Sequence, residues 1–184
     1  MNCKNRRDMP YRLFLHLVFV FSALLGCAST GNETAAPATV GASGTFTLEL
    51  DTWDGGRFSF EDIRGKRHLL VAFWATWCDP CKTELRHLAM LYPRFSDKIA
   101  FVAVSTDGEE SMDKVRAFAA EEALPFPILV DPAKKKIPSL IPGGDTVPYL
   151  LLVNRNGTVA AAHTGYEPGD EERITRELED LANR

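Results

Sequence analysis

The sequence predicts an α/β fold built around one central sheet, and three observations carry that expectation. Residues 68–77, HLLVAFWATW, run almost continuously apolar and rich in β-formers, as a strand buried on both faces must. From there to residue 130, strand-like and helix-like periodicities alternate, the order that produces parallel strands with right-handed crossovers. The chain then closes with two β stretches around Asn156-Gly157 and an amphipathic helix.

The elements follow in order. FTLEL at 46–50 alternates like a strand, and DTWDGGRFSF turns at Asp54, Gly55 and Gly56 into a second alternating stretch. After the buried strand, Cys81, Leu85, Leu88, Ala89 and Tyr92 recur at helical spacing. Pro80 suits the first turn of that helix, where a missing amide hydrogen costs nothing, and Pro93 is expected to end it. IAFVAVST (99–106) predicts a strand, Ser111–Glu122 a helix with Met112, Val115, Phe118 and Ala119 on one face, and FPILV (126–130) another strand. Beyond the Pro/Gly-rich IPSLIPGGDT comes the hairpin YLLLVNRNGTVAA. The last helix is one that Asp170 can cap and whose Ile174, Leu178 and Leu181 face inward.

With 184 residues, 45% hydrophobic and 25% charged, the chain can bury one good core, which favours a single folded domain. The formal charge is −4, and without residues 1–26 it becomes −7, with 17 basic and 24 acidic residues remaining. The one basic run, Lys134 to Lys136, is short and reads as a solvated turn, so nucleic acid is excluded as a partner.

The beginning reads as an address. MNCKNRRDMPYR is basic and LFLHLVFVFSALL is apolar but too short to span a bilayer, which needs about 20 residues. Residues 1–26 are therefore expected to be an export signal. LLGC, Leu24 to Cys27, resembles a bacterial lipobox, which implies lipidation of Cys27 and anchoring to a membrane. Residues 27–44 lack large apolar side chains and read as a flexible tether reaching roughly 20 to 25 Å. The folded domain is expected over 45–184, on the extracytoplasmic, periplasmic side of the cell envelope.

Of the four cysteines, Cys3 falls in the signal and Cys27 at its end, which leaves Cys78 and Cys81. The pair could clamp a metal, staple the fold, or store electrons. A staple across so short a loop removes little unfolded-state entropy. Zinc needs four ligands, and His16, His68, His87 and His163 are scattered. The reversible redox reading is ahead on these grounds.

A buried strand ending in FWATWCDPC and running into a helix resembles the thioredoxin fold. CDPCKTE with Glu84 after the second cysteine, Ala72 in the strand, TVPY with Pro148 before the hairpin, and the extra helix and strand at 107–131 resemble the exported TlpA/ResA-like thioredoxins. That resemblance implies a thioredoxin-like fold: a central mixed sheet flanked by helices, with an N-terminal β extension and an αβ insert. The IPSLIPGGDT stretch departs from it, because its prolines and glycines argue against a short helical lead into Pro148.

The resemblance implies a thiol-disulfide oxidoreductase that reduces protein disulfides and needs no cofactor beyond its own Cys78–Cys81 pair. Cys78 is the expected nucleophile and Cys81 the resolving thiol, favoured by the free amides and dipole of a first helical turn. Glu84 lies some 60° from Cys81 around the helix and is expected to be half-buried, with a raised pKa, as a proton relay. Asp79 beside Cys78 disfavours the thiolate and so favours a reductant. Pro148 is expected in cis, leaving a backbone edge at Val147 for the substrate chain, with Trp77 packed beside Cys78. His87 reads as a helix-surface residue. Exported protein thiols, among them apocytochrome c in cytochrome c maturation, are the implied partners, with a membrane electron donor of DsbD/CcdA type, and the protein is expected to be a monomer. The alternative is a module that binds Cu(I) through both thiolates and His163. A peroxidase fits less well, because Thr76 stands two residues before Cys78 rather than three.

Overall fold

A computed structural model describes residues 45–184. The signal, Cys27 and the tether expected over 1–44 lie outside the described residues. The elements are β1 (Glu49–Thr52), β2 (Arg57–Ser59), β3 (His68–Trp74), α1 (Asp79–Phe95), β4 (Ile99–Ser105), α2 (Met112–Glu122), β5 (Ile128–Val130), β6 (Tyr149–Val153), β7 (Val159–Thr164) and α3 (Asp170–Ala182). They form one seven-stranded sheet in the order β2-β1-β5-β4-β3-β6-β7. β3, β4 and β5 are parallel, while β1, β2, β6 and β7 pair antiparallel, so the sheet is mixed.

The apolar run at β3 has a direct cause, since every residue of the strand is buried. Leu70, Ala72 and Trp74 face a cluster shared with α1, α2 and α3, including Leu85, Leu88, Phe118 and Leu178. Leu69, Val71 and Phe73 alternate to the other face, against Phe46, Leu48, Phe60, Ile137 and Ile141. That second face is covered by the N-terminal segment and short 3₁₀ turns rather than by an α-helix.

Four details depart from the sequence expectations. The first strand begins only at Glu49, and the segment before it places Phe46 and Leu48 in the cluster on the sheet's second face, with the Phe46 amide bonded to Gly157 instead of a neighbouring strand. α1 continues through Pro93 to Phe95, and the Ser96 amide still bonds the Tyr92 carbonyl at 2.9 Å, so the exposed ring is tolerated in the last turn. IPSLIPGGDT does contain a 3₁₀ turn, Ile137–Ser139, since Pro138 fits a first turn and Asp131 Oδ2 accepts from the Lys136 and Ile137 amides. α3 is capped by Gly169, with Asp170 already inside the helix and its carboxylate accepting from the Glu167 amide at 2.8 Å. The Asn156-Gly157 hairpin forms as expected, with Gly157 at φ +91°. A side chain at Gly157 would strike Arg64 and Thr45.

Candidate active site

The end of β3 leads straight into the cysteine pair. Trp74 is fully buried against the Phe118 ring, 4.4 Å between centroids, which fixes where the strand stops. The next turn is held from β4: the Thr106 amide bonds the Trp74 carbonyl, and the buried Asp107 accepts from the Thr76 amide (2.9 Å), the Thr76 hydroxyl (2.7 Å) and the Ser105 hydroxyl (2.9 Å). The Cys78 amide closes the turn on the Ala75 carbonyl at 3.0 Å.

Cys78 is the N-cap of α1, in extended backbone, and its Sγ accepts from the Cys81 amide at 3.3 Å. Asp79 and Pro80 fill the first turn. The two cysteines are joined in a disulfide with their Cα atoms 5.3 Å apart. Cys78 is 4% exposed and Cys81 not at all, so of the pair only Cys78 reaches the surface. Trp77 stands beside them, 70% exposed. Asp79 pairs with Lys82 at 3.0 Å, an exposed contact that offsets part of its charge beside Cys78. The Val147-Pro148 bond is cis, with Val147 half-buried and Pro148 buried at the head of β6.

Glu84 is more deeply placed than the expected half-burial. It is 1% exposed, its Oε2 has no hydrogen-bond partner, and burial raises its pKa to about 8 against an opposing pull from Arg173. His87, expected on the surface, is also buried, 8% exposed, because α3 packs against α1 and widens its covered arc. Burial lowers its pKa, and Glu171 partly opposes this. His163 is in β7 rather than in a loop, and its Nε2 lies 2.7 Å from Glu177 of α3. Among the described residues no group of three or more His, Cys, Asp or Glu is gathered for a metal.

The cleft of about 440 Å³ lined by Thr47, Ser59, Lys135 and Leu140 contains none of these residues. At the sulfurs the surface instead offers a projecting indole, which suits a chain that lies across it better than a small molecule that sinks into it. Two contributors escaped the sequence reading. Asp107 carried no motif, and only the β3–β4 pairing of Trp74 with Ser105 brings it to Thr76. Tyr166, buried in the loop before α3, carried no motif at all.

A mixed sheet with a buried interior strand, a helix capped by the first sulfur of a closable pair, and a cis-proline at the head of the neighbouring strand define a thioredoxin-fold thiol-disulfide oxidoreductase. Comparison then places the chain: it belongs to the AhpC/TSA family, which it matches over residues 43–162. It is 38% identical over 119 residues to the thioredoxin-like protein YneN of Bacillus subtilis, covering 64% of this chain and 68% of that one. It is 27% identical over 169 residues to the thiol-disulfide oxidoreductase ResA of Halalkalibacterium halodurans, covering 91% and 92%. Among solved structures, the Chlorobium tepidum protein assigned as thiol:disulfide interchange protein DsbE superposes with a TM-score of 0.66 and 25% identity, over 75% of this chain and 94% of that one.

Proposed function

We propose that the protein reduces disulfides in exported proteins, with Cys78 as nucleophile, Cys81 as resolving thiol and Glu84 as the base that takes the Cys81 proton. The observation that carries this reading is the asymmetry of the pair: the sulfur that caps the helix belongs to the one cysteine with any exposure, and the other is sealed inside, on the helix face that also holds a buried carboxyl with an unpartnered Oε2. In the reduced protein the helix start favours a thiolate on Cys78. That thiolate attacks a substrate sulfur, the substrate disulfide breaks, and the first substrate thiolate leaves. Glu84 takes the proton of Cys81, whose sulfur attacks Cys78, closing the internal disulfide and releasing the second substrate thiolate. Trp77 and the backbone at Val147 flank the entry and hold the substrate chain.

The leader and Cys27 support an envelope lipoprotein tethered to a membrane; among the described residues no helix is long and apolar enough to cross one. There the spent disulfide is refilled by a membrane electron donor, and apocytochrome c is the substrate to try first. Replacing Cys81 with Ser tests the assignment. The full-length variant should stop turning over and retain exported proteins on Cys78 through disulfides that a reductant releases. Free turnover without Cys81, or adducts on neither sulfur, would overturn the reading.

A further inference from the structure

Glu84 can act as a base repeatedly only if its proton reaches solvent, and the side chain is only 1% exposed, with Oε2 buried. The seam between α1 and α3 holds three more buried side-chain atoms without hydrogen-bond partners: His87 Nδ1, the Tyr166 hydroxyl and Arg173 Nη1. Leaving a buried polar atom unpaired is destabilising, so several in one seam ask for a reason. His87 follows Glu84 by three residues on α1, which puts their Cβ atoms about 5–6 Å apart on adjacent turns. Its Nδ1 is inside while a fraction of the ring reaches the surface. The Tyr166 and His87 rings lie 6.5 Å apart. α3 turns Asp170, Glu171 and Arg173 toward the seam, Arg173 bonding Asp170 at 2.8 Å, and Glu171 acts on both His87 and Tyr166 without reaching hydrogen-bond geometry to the Tyr166 hydroxyl.

Imidazole can accept a proton at one nitrogen and release a different one from the other. We infer that His87 is the shuttle that carries the Glu84 proton between the buried face of α1 and solvent. This rests on the Glu84 relay proposed above. As Cys81 sulfur bonds to Cys78 and the substrate thiolate departs with the electron pair of the broken bond, the Cys81 proton is on Glu84. Glu84 Oε2 and His87 Nδ1 do not bond each other directly, so the proton crosses the seam to Nδ1 through an intervening water, Nε2 gives its own proton to water, and the departing thiolate takes one from water. When the electron donor reopens the disulfide, Cys81 needs a proton back, the transfers run in reverse, and the histidine tautomer is reset. His87 undergoes no redox change. Its lowered pKa keeps the ring neutral near pH 7, with Nδ1 able to accept.

The test follows release of the second thiol per protein when the reduced full-length protein is mixed with excess oxidised glutathione. His87→Asn, which keeps polarity without the shuttle, should slow that release by about tenfold at pH 7, a fraction of what full general acid-base catalysis supplies. The trace should split into a fast phase whose amplitude rises with pH, from molecules with Glu84 already ionised, and a slow phase set by proton exchange. In His87→Ala, added imidazole should restore the single phase, whereas pyrazole, equal in size but not basic, should not. A single phase at the wild-type rate in His87→Asn, with Glu84→Gln slow, overturns the shuttle and leaves the relay standing. Equal rescue by pyrazole assigns His87 to packing and overturns it too. Glu84→Gln at the wild-type rate removes the relay itself, and the shuttle with it.

Discussion

The two faces of the central sheet each bury a large apolar cluster, the larger one under the helices, and they do different work. On one face three helices lie over Leu70, Ala72 and Trp74, and the cysteine pair, Glu84, His87 and Tyr166 are all embedded there. On the other, Phe60, Ile137, Ile141 and the segment at Phe46 and Leu48 pack over Leu69, Val71 and Phe73 without a helix. A helix brings a capped terminus and a stack of neighbouring turns, which is what a sulfur pair with a buried acid one turn away requires. An irregular covering supplies apolar area only. The difference teaches that burial on the helical face tunes chemistry, while burial on the other face supplies stability alone.

The largest expected effect tests that separation from the stability side. Glu84 ionises near 4.5 in an unfolded chain and near 8 in the fold. Between those values the folded protein keeps a proton the unfolded chain has lost, so this group's contribution is best below pH 4.5 and declines as pH rises to 8, by about 4–5 kcal/mol in all. Urea titrations of the oxidised protein at pH 5 and pH 8.5 should show the decline, and Glu84→Gln should flatten it. Buried His87 works in the opposite sense, weakening the fold as pH falls below its ordinary 6.5, and that acid limb should survive in Glu84→Gln. Phe60→Ala, on the other face, should cost about 3–5 kcal/mol by the same titration and leave the reduction potential of the pair unchanged. A shifted potential would break the division between the faces.

Asp107→Ala leaves up to three donors without an acceptor and should cost about 1–3 kcal/mol, with slower alkylation of Cys78 in the reduced protein as the turn at Thr76 loosens. Trp77→Ala should change stability by less than about 0.5 kcal/mol, since the indole is largely in solvent, while raising KM for a protein disulfide more than for a small one. Equal KM for both would remove Trp77 from substrate binding.

The elements legible in the sequence are those whose cause is local. β3 betrays burial on both faces by its unbroken apolar run, and the start of α1 is marked by Pro80 and the following periodicity. The Asn156-Gly157 hairpin announces its own backbone. Glu84 was legible in direction, because it sits beside Cys81 and Leu88 around the helix, but its full burial depends on α3 closing over it. His87 stands at the edge of the buried arc of α1, 100° from Leu88, so only the partner helix decides which side it falls on. Asp107 follows a strand like any turn residue, and its role requires β4 to lie beside β3 in register. What the chain alone could not reveal was in each case a contact between elements far apart along it.

The far end of the sheet has its own clasp. The Phe46 amide bonds the Gly157 carbonyl at 2.7 Å, and Arg64 reaches both the Asn156 and Phe46 carbonyls. β3 runs from that end to the sulfurs, and its seven residues at about 3.3 Å each set the two some 20 Å apart. The described chain therefore enters the domain at the end of β3 opposite the sulfurs, and the bonds that fasten Phe46 in place are kept apart from the redox chemistry.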